Sequence, residues 1–519
     1  MRIVKGARAV VFKLKNPARI TEVIETSKVI TFKGQELVVV PHKLAETKVL
    51  NSMGFHVPSP VQYYYDWPIM AGRKPFAHQI TTTDFLTLNN RAYCLNDMGS
   101  AKTMAALWAY DYLKRIGKVD KAIIVAPLST LERVWGDEIF LNFPHLNFQV
   151  VHSPSRERRI KLLNVDTDIY IMNHEGIKIL KSFILARTDI NLMIVDELAV
   201  YRNSGTDLFK ALVKLTPTME YVWGLTGAPI PKAPTDAWAQ CRLITPATVP
   251  KYFGKFRDMT MRQSGPFTWE SRPEALHVVL SAMQPSIRFK RDECIDLPPT
   301  TFSTRHVEME DEQKKLYKEM AGQLKTEFEG GKISAINAAV KAQKLLQIAC
   351  GVAYDTEGEN VIIPNSGRMA VVKEIIEEAE AKVIVFVPFT GSLHRIAEEI
   401  AGYTSVEIVY GDVSPEKRND IFQRFQSGKE PRVLVAHPKC MAHGLTLTAA
   451  SVIVWYIPTN DGEIYEQACA RIARPGQKLY THIIHLEGSE IERRIYKRLQ
   501  DKSMTQGTFL SMVKEVMCS

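Results

Sequence analysis

Short apolar runs recur through the chain, each closed by polar or turn residues and separated from the next by a helix-length segment. In the first half they are Ala92–Leu95, Ala122–Ala126, Ile169–Met172, Leu192–Val195 and Tyr221–Leu225. Strands that are apolar on both faces belong inside a parallel sheet covered by helices on each side. A second set, Lys382–Val387, Val406–Val409, Val433–Ala436, Ser451–Trp455 and Thr481–His485, repeats the rhythm. Between the two sets, 308–349 has the charge and apolar spacing of long helices. The pattern predicts an α/β protein of two doubly wound parallel-sheet lobes, and ligands of such sheets sit beyond the carboxyl ends of the strands.

The remaining segments break this rhythm. Residues 1–70 alternate through Val29–Phe32 and Leu37–Val40 and then reach a helix-like stretch, Ala45–Met53, which predicts a small separate α+β module. Residues 246–300 concentrate aromatic, basic and proline residues and read as an addition to the lobes rather than a third sheet. The expected organisation is an accessory module over 1–70, a first lobe over 71–245, a linker with helical insertions over 246–365, a second lobe over 366–500 and a tail over 501–519.

A chain of 519 residues can hold several domains, each with its own core. Its formal charge of +9 favours an anionic partner, and ten Lys and Arg against five Asp and Glu in residues 1–72 place over half of that excess there. Charged residues make up 24% of the chain in mixed sign, the composition of a solvated globule rather than a basic tail. The seven cysteines are scattered without a Cys-x-x-Cys pair, which predicts reduced thiols and no zinc ribbon. No apolar stretch approaches the roughly 18 residues of a membrane span, and Ala9–Phe12 is too short for a signal peptide. The expectation is a soluble cytoplasmic protein.

Candidate chemistry sits at the ends of the predicted strands. After Ala92–Leu95 comes Asn96-Asp97-Met98-Gly99-Ser100-Ala101-Lys102-Thr103, followed by the helix-like Met104–Leu113. A turn opening a helix offers N–H groups and the positive end of a dipole to phosphate oxygens, Lys102 adds a mobile charge, and the Thr103 hydroxyl can ligate Mg2+. The pattern G-x-x-x-x-G-K-[ST] lacks both glycines here, with Asn96 and Ala101 in their places, so the loop alone also reads as an ordinary strand, turn and helix. After Leu192–Val195 come Asp196, which can hold Mg2+, and Glu197, which can position and deprotonate a water; the plain alternative is an acidic turn capping a helix. Leu225-Thr226-Gly227-Ala228-Pro229 is a third polar strand end in the same lobe. In the second half, Gln467–Gln477 places Arg471 and Arg474 three apart on a helix-like stretch, where two guanidinium groups on one face can neutralise a transferring phosphoryl group or simply form a basic surface.

This ordered set resembles the superfamily 2 helicases and translocases, and within them the Swi/Snf-type DNA-dependent ATPases, over about residues 73–500. Pro75–Gln79 resembles the family's adenine-reading glutamine motif, Asp97–Thr103 motif I, Ile124–Leu131 motif Ia, Ile171–Glu175 motif Ib, Val195–Ala199 motif II and Leu225–Ile230 motif III. Val383–Phe389 is similar to motif IV, Gly444–Ala450 to motif V and Gln467–Gln477 to motif VI. Ile287–Asp292 with Leu297–Pro299, Gln343–Cys350 and the Arg-x-x-Arg-x-Gly-Gln ending are similar to segments of the Swi/Snf group in particular.

The resemblance implies two RecA-like lobes, with ATP bound by Gln79, Asp97, Met98, Gly99, Ser100, Ala101, Lys102, Thr103 and Gln467. It implies Mg2+ on Thr103 and Asp196, and catalysis by Lys102, Glu197, Arg471 and Arg474. DNA is the implied partner, gripped through its backbone by Pro127, Ser129, Asn173, His174, Thr390, His437, Gly444 and Thr446, although such residues also cap ordinary strand ends. The implied activity is ATP-dependent movement along DNA that remodels DNA structures or displaces bound proteins. A fork or branch-migration helicase is the nearest alternative, with Tyr252, Phe253, Phe256, Phe267 and Trp269 either stacking on bases or packing against the lobe. A nucleic-acid-binding scaffold without hydrolysis is the alternative of another class. Residues 1–70 are the candidate for substrate choice or for docking a protein partner. Two positions depart from the family pattern: Ala101 brings a Cβ toward the β-phosphate, and Leu198-Ala199 replaces the Ala-His of many relatives, at the usual link from motif II to motif III. The lack of a histone-reading extension and the short stretch after motif VI fit a compact motor of a bacterium or bacteriophage.

Overall fold

The computed structural model describes the chain except residues 71–73, 98, 231–232, 266–268, 291–299, 330–334, 355–359, 442–446, 475–476 and 502–519, and except the side chains of 324–329, 335–339, 353–354 and 360–361. The chain divides into two compact units, Met1–Ile230 with Pro234–Cys294 in the first and the chain from Ile295 in the second. Among the described residues no helix is long and apolar enough to cross a membrane. The described cysteines are free thiols.

The first unit opens with strands β1 (Arg2–Val4), β2 (Ala9–Phe12), β3 (Lys28–Phe32) and β4 (Gln35–Pro41), an antiparallel sheet in the order β1-β2-β4-β3. Val10, Phe12, Val38 and Val40 form its buried face and close over Ile20, Leu50 and Val57, so the alternation in this region marks a half-buried sheet with the helix Leu44–Ser52 against it. Part of the local basic charge is engaged within the fold, because Lys5, Arg8 and Arg19 lie over the rings of Tyr63, Tyr64 and Phe55. Tyr65 then anchors the chain to the helix Lys102–Arg115: its hydroxyl donates to Asp111 Oδ2 at 2.5 Å, and the same buried carboxylate takes Arg115 at 2.9 Å.

The larger sheet of this unit contains β5 (Arg91–Cys94), β6 (Lys121–Ala126), β7 (Phe148–Val150), β8 (Ile169–Asn173), β9 (Ile190–Asp196) and β10 (Tyr221–Leu225). After a hairpin of β11 (Met261–Gln263) and β12 (Trp269–Ser271), β13 (Ser286–Ile287) completes it in the order β13-β5-β10-β9-β6-β8-β7. All of its pairings are parallel. Ala122, Ile124 and Ala126 join a core with Leu107 and Trp108, whereas Ile123 and Val125 join another with Leu180 and Leu212. Burial on both faces is why these runs show no polar alternation. Phe256 is buried, Phe253 meets the edge of Trp238 and Trp269 carries Arg257, so these aromatics are used in packing; Tyr252 is exposed and Phe267 lies outside the described residues.

The second unit holds β14 (Thr300–His306), a hairpin of β15 (Val352–Tyr354) and β16 (Asn360–Ile362), then β17 (Lys382–Phe386), β18 (Val406–Val409), β19 (Val433–Ala436), β20 (Ala450–Trp455) and β21 (Thr481–Glu487). Its six-stranded sheet runs β14-β21-β20-β17-β19-β18, again parallel throughout. The stretch 246–300, expected as an addition to the lobes, thus supplies β13 to one sheet, and its last residue begins β14 of the other. β14 is polar and exposed along most of its length, as an edge strand can be, and so carries no hydrophobic signature. The expected helical region is realised as Asp311–Glu329 and Ala335–Cys350.

A buried ion pair organises this second core. Arg368 donates to Glu492 Oε1 at 2.8 Å and to the carbonyl of Tyr456, and Glu492 also accepts from Ser489 Oγ at 2.8 Å and Gly488 N at 3.1 Å. The network ties the helices Ser366–Glu378 and Glu490–Gln500 to the end of β20. We predict that Arg368→Ala, which strands a buried carboxylate, lowers stability by about 3–5 kcal/mol in denaturant unfolding, and that Arg368→Met with Glu492→Leu costs clearly less.

Candidate active site

β5 ends at Cys94, and a short loop leads from it into the helix Lys102–Arg115. Gly99 has φ 81°, and Ala101, at the helix N-cap, has φ 54° and ψ 47°, both left-handed. A left-handed non-glycine residue costs about 1–2 kcal/mol, which is the physical reason that glycine is the usual residue before this lysine. Lys102 Nζ folds back over the loop and donates to Asn96 O at 2.8 Å and Asp97 O at 3.3 Å. The loop is braced from two sides. His78 Nε2 lies 2.9 Å from Ser100 O, and Gln79 donates to Ala101 O at 3.3 Å while accepting from Phe76 N at 3.0 Å. On the other side Phe289 N donates to Asn96 Oδ1 at 3.0 Å, Asp97 N donates to Phe289 O at 3.0 Å, and Arg288 lies 3.5 Å from the Asp97 carboxylate. The segment continuing β13 is therefore part of the loop's frame. Thr103 sits half-buried in the first turn of the helix.

One strand beyond its neighbour β10, β9 ends at Asp196. Glu197 follows with φ 50° and ψ 53°, so both loop and acid pair contain a left-handed non-glycine residue. Asp196 Oδ1 accepts from Glu197 N at 3.0 Å, and Oδ2 accepts from Trp135 Nε1 at 3.1 Å. Burial, followed by the neighbouring Glu197, pushes the Asp196 carboxyl up to about 6, while Lys102 acts in the opposite direction. The partly buried Asp196 carboxylate and the Thr103 hydroxyl, in the first turn of a helix that follows a strand of the same sheet, are hard oxygen donors of the kind that suit Mg2+. Leu198 is fully buried and packs directly over β10, where a Cβ at Gly224 would stand only 2.5 Å from Leu198 Cδ2. The turn after the acid pair is thus joined by apolar contact to the strand that leads to Thr226, in a chain that lacks the Ala-His sequence. Thr226 is buried, with its N–H on Cys94 O at 3.1 Å.

Other expected residues lie at neighbouring strand ends. Pro127 follows β6, and its carbonyl accepts from Thr130; Ser129 is exposed. Asn173 ends β8 and caps the helix His174–Leu185 through Gly176 N at 3.2 Å, and His174 is buried with Nδ1 3.1 Å from the Tyr201 hydroxyl. In the second unit Thr390 is exposed at the start of the helix Thr390–Ala401, and His437 lies with Nε2 3.1 Å from Pro388 O. Met98, Gly444 and Thr446 lie outside the described residues. The helix-like stretch expected to carry both arginines ends early: it spans Gly462–Cys469, and Arg471 and Arg474 come after it in tighter turns. Gln467 is buried on that helix, and Arg471 Nε donates to its carbonyl at 2.9 Å, as Arg474 Nε does to Ala470 O at 3.2 Å. Trp135 had no chemical signature in the sequence; its contact with Asp196 arises only when β6 and β9 pair.

Comparison with known proteins places this geometry in context. Residues 81–353 match the SNF2-related domain family, and residues 367–476 match the helicase conserved C-terminal domain. An ATP-dependent helicase of Mycoplasma pneumoniae is 26% identical over 418 residues, covering 77% of this chain and 38% of the relative. Protein p41 of Acyrthosiphon pisum secondary endosymbiont phage 1 is 24% identical over 465 residues, covering 85% of this chain and 98% of p41. The chain therefore spans well under half of the Mycoplasma relative but almost all of the phage one. The SWI2/SNF2 ATPase core of Sulfolobus solfataricus, solved in complex with dsDNA, aligns at 21% identity with a TM-score of 0.41, covering 87% of this chain and 96% of that one.

Two measurements test the site's energetics. An acid whose folded value is raised binds its proton more tightly in the folded than in the unfolded state, so its cost to stability is absent at low pH and full above about 6. The stability of Asp196→Asn relative to the wild type is expected to rise from about pH 4 to pH 8, because only the wild type carries the disfavoured charge there. Gly224→Ala is expected to cost about 1–3 kcal/mol by overpacking against Leu198, and Leu198→Ala in the same chain to recover part of that loss.

Proposed function

The chain belongs to the SNF2-related family, and on that premise we propose that it hydrolyses ATP and couples hydrolysis to movement along duplex DNA. The observation that carries this reading is the placement, at the carboxyl edge of one parallel sheet, of a lysine folded over a helix-opening loop after β5 and of an acid pair at the end of β9, with β10 between the two strands. Lys102 would exchange its two carbonyl partners for phosphate oxygens, and the amide groups from Gly99 to Thr103 would line the same anion. Thr103 and Asp196 would hold Mg2+, which supplies charge neutralisation to the transferring phosphoryl group. Glu197, turned by its left-handed backbone, would orient the attacking water and take its proton. Gln79 would serve the nucleotide from its place beside Ala101, and Gln467, Arg471 and Arg474 are the residues of the second lobe proposed to act on ATP.

Pro127, Ser129, Asn173, His174, Thr390, His437, Gly444 and Thr446 would track the DNA backbone, which predicts weak sequence preference. Residues 1–70 would act as the accessory module, 71–245 and 366–500 as the two motor lobes. Movement along duplex, displacing what lies in its path, is the form of the activity proposed.

Steady-state ATP hydrolysis should rise on addition of plain duplex DNA and fall by about a hundredfold or more in Lys102→Ala. Displacement of a third strand from a DNA triplex should require ATP and the intact lysine. Duplex affinity should fall steeply and linearly in log–log form as salt increases. Equal hydrolysis by the wild type and Lys102→Ala under every condition would overturn the motor in favour of a hydrolysis-deficient scaffold, and stimulation by forks alone would move the assignment to branch remodelling.

A further inference from the structure

Trp135 is completely buried, yet its single polar atom faces the acid pair: Nε1 donates to Asp196 Oδ2 at 3.1 Å. The segment that delivers it is irregular. After β6, Thr130 N and Oγ1 both bond to Pro127 O, at 2.9 and 2.8 Å, closing a tight turn over Leu128–Thr130 that leaves Leu128 and Ser129 exposed. The next six residues, Leu131–Gly136, wind as a π-helix before an α-helix resumes over Asp137–Asn142. A π turn carries an extra residue in the helical ladder and so re-aims the side chains on it, and such turns gather at functional sites. Gly136 allows the ring of Phe148 to approach, because a Cβ there would lie 3.3 Å from Phe148 Cε2.

We propose that Trp135 is a positioning residue that couples occupancy by DNA of the turn Leu128–Thr130, at its exposed residues Leu128 and Ser129, to the orientation of the Asp196 carboxylate. The inference rests on the reading of the site as a DNA-dependent ATPase. Among the described residues, each oxygen of Asp196 has one donor, Glu197 N on Oδ1 and Trp135 Nε1 on Oδ2. Of the two donors, only Trp135 belongs to the segment that also presents a surface for DNA. A buried indole in a close-packed core tends to transmit a shift of its own backbone rather than absorb it, because such interiors hold few voids. Movement of the turn therefore reaches Asp196 through one rigid side chain, and with it the lone pairs that Asp196 offers to Mg2+.

The test compares the wild-type chain with Trp135→Phe, which keeps an aromatic ring but removes the N–H donor together with part of the indole, with Leu128→Ala/Ser129→Ala on the surface, and with the combination. A hydrogen bond to a charged acceptor is worth roughly a tenfold effect. Trp135→Phe should lower the ratio of duplex-stimulated to DNA-free turnover about tenfold and raise the Mg2+ concentration for half-maximal turnover by a similar factor. Binding of a fluorescent ADP should weaken in the presence of Mg2+ and stay unchanged in EDTA. The surface pair should lower the stimulation ratio on its own, and adding it to Trp135→Phe should produce little further loss. A wild type that no duplex stimulates overturns the functional reading and the coupling with it. A stimulated wild type whose Trp135→Phe form is stimulated as strongly, or loses both rates by the same factor together with thermal stability, overturns the coupling alone. Strictly additive losses in the combined variant overturn it as well, and this arm holds even if Trp135→Phe is less stable, because Leu128 and Ser129 are on the surface.

Discussion

The absence of a side chain at Gly224 is the constraint on which the candidate site depends. β10 lies between β5 and β9, and a Cβ on Gly224 would stand 2.5 Å from Leu198 Cδ2, so the turn after Asp196 and Glu197 packs onto the sheet where the strand carries no side chain. Two inter-strand spacings separate β5 from β9, roughly 10 Å. A steric condition on one strand thus bears on the turn that follows the acid pair of its neighbour.

Stability is given up at this site in two ways. Ala101 and Glu197 are held in left-handed backbone, and Asp196 is kept where its charged form is disfavoured. Each of these is a cost of about 1–2 kcal/mol or more that a protein selected for stability alone would avoid. The two faces of the same sheet, both packed with apolar residues, offset it. The second unit uses its buried charge differently: Arg368 and Glu492 are paired and hydrogen-bonded within a core, where they position helices rather than wait for a ligand.

The basic excess near the N-terminus acquires a more specific meaning from the structure. Lys5, Arg8 and Arg19 stack on aromatic rings of their own unit, so that part of the charge suggesting an anionic partner also holds the small sheet to the neighbouring segment of the chain. Composition counts such residues as available charge; geometry shows that they serve the fold too.

The apolar runs by themselves determined the two parallel sheets, because a strand buried on both faces must be apolar at every position, and β6, β9, β10 and β17 are where that rule places them. The loop around Lys102, the pair Asp196–Glu197 and the segment before Arg471 were legible for a similar reason, since local order is enough to display them. The edge strands β13 and β14 were not, being short or polar and stabilised by a neighbour far away in sequence. Nor was the early end of the helix before Arg471, a difference of a few residues that turn geometry decides. The left-handed conformation of Ala101, the dependence of Leu198 on Gly224 and the indole of Trp135 on Asp196 belong to the tertiary structure alone. Each is a contact or a dihedral angle set by strand pairing, and an amino-acid sequence specifies the residues that meet only once the sheet has brought their strands together.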